Sequence, residues 1–506
     1  MATRLVARAE HLEGWDGVDF ALALEDFDLE RYQPHFPGYP VFVGLARLLA
    51  PLAGPGPADA LTLPGAIVCG AAAWALWRLG GRGAALLYLA APGLWLVGGK
   101  PLSDGLGLGL LLFAFALART RPATSGLLAA LTLGVRLSYA PAVLAWGSFV
   151  LASRCSYRRS AVGFGIGVGA WLVPLVLLAG GPFRLVEIGS RFAQGHFGRW
   201  GGAAGYLGLG QRLARQAWGL FDWTLGTVGP GDVTPLRIVT TLALVIALVG
   251  ALRHRAARLA LLFCLPYLIW ALVAQNPDRP RHLAPVAAAL IIALGSAPRW
   301  CALAATSMVL TALPLVRLQA TTPPPDTALA MHVAREWPGA RIYGWDTVRL
   351  FAVYGPSVDA RRAVSLDDVA REEATGGRTP VLFTSDLRGK RRTRHCFELV
   401  ATFRSDPHVF PPRRGLTLFR TCGASVHADS AVLHSASPWM QSRSFAPSAP
   451  SCARSSSSAR SSWTECSPRS SRASTSFWPA RLERPSRCWP RRCAAGSKAA
   501  STSPGS

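Results

Sequence analysis

The feature that most restricts what this chain can fold into is a series of apolar runs, each about as long as a bilayer is thick. "DALTLPGAIVCGAAAWALW" (59–77), "AVGFGIGVGAWLVPLVLLAG" (161–180), "PLRIVTTLALVIALVGAL" (235–252) and "ARLALLFCLPYLIWALVA" (257–274) each carry at most one charge, placed near an end. A helix needs about 20 such residues to cross about 30 Å of hydrocarbon. One run of this kind fits a buried helix of a soluble protein; so many in series do not. Composition agrees: 16% of the 506 residues are charged, where soluble domains carry about 25%. We therefore expect a multispanning α-helical membrane protein with about ten spans, at 59–78, 83–98, 103–118, 124–136, 138–153, 161–180, 236–252, 258–274, 282–297 and 300–317.

Arginine placement orients the spans. If 59–78 runs inward, the inner loops hold Arg78 and Arg82, Arg119 and Arg121, Arg154 with Arg158 and Arg159, Arg253 with Arg255, and Arg299. The short outer turns hold only Lys100, Arg136, Arg279 and Arg281. This is the positive-inside bias of membrane proteins. It places the N-terminal stretch, the long 181–235 loop and everything after 317 on the extracytoplasmic side. "PGYPVFVGLARLLAPLAG" (37–54) would invert that alternation if it were a span, so it reads as an amphipathic helix in the outer interface. The net charge of +25 lies in short clusters between apolar runs and in the last eighty residues. No basic stripe with interleaved aromatics accompanies it, so nucleic acid is not an expected partner.

Four regions follow: 1–58, an outer loop with the interfacial helix; 59–320, the transmembrane helices; 321–423, a small extracytoplasmic α/β domain; and 424–506, a tail. In the third, "PPPDTALAMHVAREWPGARIYGWDTVRLFAVYGP" reads as linker, helix, strand, helix, and "TPVLFTSD", "FELVATF" and "GLTLFRT" read as strands. Cys396 and Cys422 lie in it, and a disulfide and two free thiols are equally compatible with an oxidising compartment. The tail is rich in Ser, Arg and Pro without periodicity, and we expect it to be disordered. Its four cysteines and scattered tryptophans match what a shifted reading frame in GC-rich DNA produces; an uninterrupted frame on resequencing, or a protease-resistant tail, would overturn that reading. No apolar span precedes Asp16, and "MATRLVARAEHLEG" is too short and too polar to be one. An acidic stretch on the outer side must still cross the membrane, so an initial span is expected upstream of this start.

Ionisable groups beside spans are costly and tend to mark functional paths. Here they gather at one face: Asp16, Asp19 and His35; Lys100 and Asp104 in "GGKPLSDGL"; Arg136 in "GVRLSYAP"; and Asp278, Arg279, Arg281 and His282 in "NPDRPRHLAP". Carboxylates beside guanidinium groups suit a general base working next to a phosphate leaving group. Each residue has a plainer reading. Asp19, Glu25, Asp26, Asp28 and Glu30 fit a solvated face, Lys100 and Asp104 could bracket a helix start, Arg136 could snorkel to the interface, and His35 fits interfacial packing.

"WDGVDFALALEDFDLERYQPHFPGYPVFVGLARLL" resembles the first outer loop of the GT-C glycosyltransferases, the multispanning family that includes protein O-mannosyltransferases and the lipid A aminoarabinose transferase. "GKPLSDGLGL" resembles the family's second acidic loop motif, and "RPRHLAPV" its Arg-bearing start of a late helix. The resemblance covers about 11–422. It implies transfer of a sugar, for instance mannose or another hexose, from a polyprenyl-phosphate donor to a lipid, glycan or protein acceptor, at the outer face of the plasma membrane and with inversion. By the same resemblance Asp16 and Asp104 are the catalytic pair, Asp16 deprotonating the acceptor and Asp104 supporting the site. Asp19, Lys100, Arg136, Arg279, Arg281 and His282 would bind substrate, with Arg136 and Arg281 on the departing phosphate. No cofactor is required by any motif, though a divalent metal is compatible. "PHFPGYP" in place of a double proline departs from the family pattern. Two rival readings are a transporter or flippase for a lipid-linked sugar, which would place charges and broken helices near the membrane midplane, and an inactive GT-C-like membrane scaffold.

Overall fold

The computed structural model of the chain describes residues 2–153, 155–198, 207–230, 232–369, 381–387, 397–411 and 415–421. All belong to the first of two units, Met1–Ala431; the second, Val432–Ser506, lies outside them, as do Cys396, Cys422 and the expectations attached to them.

The chain opens with a five-residue helix, α1 (Ala2–Val6), where the sequence suggested none. The buried Arg4 anchors it: its guanidinium donates to the carbonyls of Leu94 (2.8 Å) and Tyr88 (3.2 Å). Then come α2 (Gly14–Glu25) and α3 (Pro40–Leu49), the latter beginning on the proline that pre-sets its first turn.

Each apolar run is helical. In order they are α4 (Asp59–Ala90), α5 (Pro92–Gly99), α6 (Ser103–Leu117), α7 (Pro122–Val135), α8 (Ala140–Ala152) and α9 (Tyr157–Leu178), then, after α10 (Pro182–Gly198) and α11 (Leu209–Ala217), α12 (Pro235–Ala251), α13 (Arg255–Ala274), α14 (Ala284–Leu294) and α15 (Pro298–Thr321). The first two expected spans meet inside α4, which turns at Gly81 with φ +80°, a left-handed conformation that glycine adopts without strain. Among the described residues four helices are long and apolar enough to cross a membrane, or five if α5 and α6, bent by 111°, count as one. The other apolar helices are shorter than a full crossing.

Beside a buried apolar core, three of the apolar helices also expose large hydrophobic side chains. Val162, Ile166, Val173 and Leu177 on α9, Leu242, Val245 and Val249 on α12, and Leu262, Ile269 and Val273 on α13 all face outward, as lipid-facing side chains do. Small residues line the helix contacts. A Cβ at Gly126 on α7 would lie 1.9 Å from the Ser160 carbonyl, and one at Gly163 on α9 would lie 1.9 Å from the Ala123 carbonyl. The two backbones therefore touch, the close approach that small residues permit in membranes.

The 181–235 loop, read from sequence only as extramembrane, carries α10, α11 and a π-helical turn at Trp218–Thr224. Counting charges overlooked the amphipathic pattern that leaves Phe183, Val186 and Phe197 exposed along α10.

The small domain begins with α16 (Pro325–Glu336) and builds a five-stranded sheet from β1 (Arg341–Gly344), β2 (Asp359–Arg362), β3 (Leu382–Thr384), β4 (Phe397–Arg404) and β5 (Gly415–Thr421), in the order β2-β1-β3-β5-β4. A short helix, α17 (Phe351–Tyr354), follows β1. β1 pairs in parallel with β2 and β3, and β5 in antiparallel with β3 and β4. β2 has the sequence "DARR" and escaped notice because it has no apolar alternation. It is an edge strand, where charge discourages further pairing. The domain is tied to the N-terminal segment: Thr327 Oγ donates to the Leu12 carbonyl (2.7 Å), and the Leu12 N–H donates to the Tyr354 hydroxyl (2.8 Å).

Candidate active site

Four chain segments bring alternating charges to one place. The bend between α5 and α6 sets Lys100 at its corner and Ser103 and Asp104 in the first turn of α6. α7 ends at Arg136, Arg281 sits in the tight turn Pro280–Leu283 ahead of α14, and Asp16 lies in the first turn of α2. Arg136 Nη1 donates to Asp104 Oδ2 and Ser103 Oγ, both at 3.2 Å. Arg281 Nε lies 3.3 Å from the same Asp104 oxygen, and Arg281 Nη2 donates to Asp16 Oδ2 at 2.9 Å. The result is a ladder, Arg136–Asp104–Arg281–Asp16.

Burial differs along it. Asp104 is 1% exposed and does not reach the cleft beside the ladder, so its geometry is that of a residue holding two guanidinium groups in place. Asp16 has a side chain 41% exposed. It lines a cleft of about 480 Å³ with Glu13, Trp15, Arg279, Arg281 and, from the small domain, Asp346 and Phe410. Partial burial pushes the Asp16 carboxyl up, but the charges of His35, Arg281, Arg279 and Arg136 outweigh it and hold the group at about 2. The N-terminal end of α2 adds to that positive field. Asp104 Oδ1, Arg136 Nε and His282 Nδ1 are buried with no hydrogen-bond partner among the described residues.

Asp19 corrects the sequence reading. It is no part of a solvated face but fully buried, accepting from Arg349 Nε at 3.0 Å and lying 3.3 Å from His35 Nδ1. The two carboxylates lie one turn apart on neighbouring flanks of α2, and what separates them is tertiary packing: His35 and Arg349 enclose Asp19, while Asp16 stands at the cleft. His35 is likewise more than interfacial packing, since its Nε2 reaches the Tyr39 hydroxyl at 3.0 Å. Burial disfavours its imidazolium, but the hydrogen bond to Asp19 and the charge of Asp16 outweigh that and raise its pKa. His282 is buried beside Arg281, and its carbonyl accepts from the Tyr267 hydroxyl at 2.8 Å.

Several residues of the site were not singled out from sequence. Glu13 is the ion-pair partner of Lys100, whose ammonium also donates to the Val409 carbonyl at 2.8 Å. Trp15 forms a cation–π platform, with the Arg349 guanidinium at 5.6 Å and that of Arg362 at 4.8 Å. A second ionic group joins Asp222, Asp232, Arg237 and His408. Asp222, Asp232 and His408 converge within 4.8 Å, but Arg237 ion-pairs with both carboxylates and is already the cation there, so we assign no metal ligands to it. These partners come from parts of the chain hundreds of residues apart, and no local motif announces them.

An apolar groove of about 550 Å³ is lined by Phe36, Leu133, Leu137, Trp171, Leu175 and Leu185. Leu133 and Leu137 flank Arg136 in the chain, and Phe36 follows His35.

No protein-family model matches the chain, and neither does any curated protein. The fold is similar to the crystal structure of ArnT from Cupriavidus metallidurans in the apo state, with TM-score 0.51 and 15% identity over 82% of this chain and 96% of that one. The crystal structure of the same protein bound to undecaprenyl phosphate gives TM-score 0.49 and 14% identity, over 83% and 96%. The first of these likenesses concerns fold. It shows a shared fold, in a chain with four helices long and apolar enough to cross a membrane among the described residues and a small sheet-containing domain.

Proposed function

We propose that the chain is a GT-C glycosyltransferase that moves a sugar from a polyprenyl-phosphate donor to an acceptor hydroxyl or amine, at the extracytoplasmic face of the membrane. The observation that carries the reading is the ladder itself, a partly exposed carboxylate bonded to an arginine whose other edge is braced by a buried carboxylate. The donor's phosphate would sit on Arg281 and Arg279, which line the cleft, with Arg136 adding its charge from behind Asp104, and its isoprenoid chain would lie in the apolar groove. Arg–phosphate contacts of this kind stabilise the charge that grows on a leaving phosphate.

Asp16 is ionised at neutral pH but a weak base while Arg281 holds it. A phosphate that engages Arg281 draws that guanidinium from Asp16 and adds a negative charge nearby. Both effects raise the carboxylate's basicity, so the base becomes effective when the donor is bound. Asp16 then takes the acceptor proton as the acceptor oxygen or nitrogen bonds to the anomeric carbon. The electron pair of the carbon–oxygen bond leaves with the lipid phosphate, and attack opposite the leaving group inverts the anomeric centre. Asp104 is a positioning residue here, and Lys100 acts through Glu13 and the small domain.

The reading is tested by supplying a defined polyprenyl-phosphate sugar to membranes containing the chain and analysing the lipid afterwards. A glycosyltransferase yields free polyprenyl phosphate in step with glycosylated acceptor. Movement of intact donor across the bilayer, without cleavage, would instead identify a flippase, and neither outcome would leave an inactive scaffold.

A further inference from the structure

One loop of the small domain closes over the cleft, and it is fastened by charges from two other parts of the chain. Phe410 and Pro411 line the cleft opposite Asp16. Just before them, His408 Nε2 lies 3.1 Å from Asp222 Oδ1 and 3.8 Å from Asp232 Oδ2, while its Nδ1 lies 3.4 Å from Asp406 Oδ1. The Trp223 indole donates to the His408 carbonyl at 2.6 Å, and Lys100 donates to the Val409 carbonyl at 2.8 Å. The Lys100 ammonium also lies 5.3 Å from the centre of the Phe410 ring. Asp222 and Trp223 belong to the π-helical turn Trp218–Thr224, an irregularity that often accompanies functional sites.

We propose that 406–411 is a movable roof over the cleft, held shut by an ionic clasp in which the His408 imidazolium bridges Asp222 and Asp232. The clasp has the composition this needs. The charged groups facing His408 are Asp222 from the π-turn, Asp232 ahead of α12, Arg237 from α12 and Asp406 from the loop itself, with the Trp218 ring at 6.2 Å. Three carboxylates against one guanidinium leave two negative charges unmatched, and the imidazolium offsets one of them. Burial opposes that charge, but the hydrogen bonds to Asp222 and Asp406 outweigh burial and raise the His408 pKa to about 9. A group whose pKa is raised by the closed form stabilises it fully below the ordinary histidine value of about 6.5, and the stabilisation is lost as pH rises through the raised value. The roof is therefore shut at neutral pH and opens in alkali. This inference does not rest on the reaction proposed above, only on the cleft.

Hydrogen exchange on the purified full chain tests it. The Trp223 indole N–H donates across from the π-turn to the His408 carbonyl at 2.6 Å and reports the closed loop. Corrected for intrinsic exchange at each pH, its protection should fall by at least about tenfold between pH 7 and pH 10, with the transmembrane helices unchanged. His408→Gln should lack that protection already at pH 7, and His408→Arg, which keeps the charge, should retain it at pH 10. A flat wild-type profile overturns the proposal even where a variant fails to fold. So does a His408→Gln chain as protected as wild type at pH 7. Opening of His408→Arg at the wild-type pH also overturns it, and would assign the change to Lys100.

Discussion

At the scale of single residues the account turns on how Asp16 and Asp19, one helical turn apart, come to have different surroundings. Asp16 meets the cleft and Arg281, whereas Asp19 meets His35 and Arg349 in the interior. Two predictions follow from that division. Arg281→Gln removes one of the charges that hold Asp16 at about 2. Where the carboxylate must be ionised for transfer, the acid limb of the kcat/KM profile, which reports the donor-free chain, should move upward by about one unit from about 2, read from initial rates between pH 1 and pH 5. An unmoved limb would show that Arg281 does not set the state of Asp16. Arg349→Met strands the buried Asp19 carboxylate with His35 alone, at a cost of about 3 kcal/mol, measurable as a lower melting temperature in detergent. Sequence reading gathered Asp16, Asp19, His35, Lys100, Asp104, Arg136, Arg279, Arg281 and His282 as a group, because ionisable residues beside apolar runs stand out. It left Asp19 between a substrate contact and a wet face, because a run of acids looks alike whichever way the helix turns. Glu13, Asp222, Arg237, Arg349 and His408 were not legible at all, since each acquires its partner only through tertiary contact.

At the scale of elements, the apolar helices were readable because a membrane forces every backbone group to be satisfied within its own segment. Their starts and stops coincide with Pro and with charges. The turn inside α4 at Gly81 and the 111° bend between α5 and α6 were not readable, since one glycine among many does not announce a positive φ and a "KPL" corner does not announce its angle. α10 and α11 were hidden for another reason: charge counting treats a long outer loop as featureless. The contact of α7 with α9 gives the prediction at this scale. In Gly126→Ala the new methyl would lie 1.9 Å from the Ser160 carbonyl, and the helices must part. We expect a loss of about 2 kcal/mol, seen as a lower melting temperature, whereas Gly165→Ala, where nothing lies within 4 Å, should be neutral. Equal effects would mean that the backbones do not touch.

At the scale of the whole molecule, the small domain is a wall of the cleft rather than an appendage. Asp326, Asp346 and Phe410 face Asp16 across it, and Leu12 fixes the two parts through hydrogen bonds on both sides of one residue. Thr327→Val and Tyr354→Phe each leave a buried Leu12 backbone group unpaired, costing about 1–3 kcal/mol. Limited proteolysis should then cut the 322–325 connection faster in either variant than in wild type; unchanged cutting rates would show that the domain is held elsewhere. The fold class was legible in the chain's hydropathy and in the strands of the small domain. The cleft was not, because it forms between an N-terminal helix, two membrane-helix corners and a sheet domain separated by up to 400 residues of chain.

The central claim is that Asp16 is the base and the arginine ladder the phosphate site, and one paired measurement on a single substitution tests it most directly. Donor binding and sugar transfer should be measured side by side, with a defined radiolabelled polyprenyl-phosphate sugar, for wild type and Asp16→Asn in the same membranes. The account predicts that Asp16→Asn binds the donor at least as well as wild type, Arg281 having been released from its carboxylate, and transfers sugar at least about a hundredfold more slowly. Equal transfer by the two chains would contradict it.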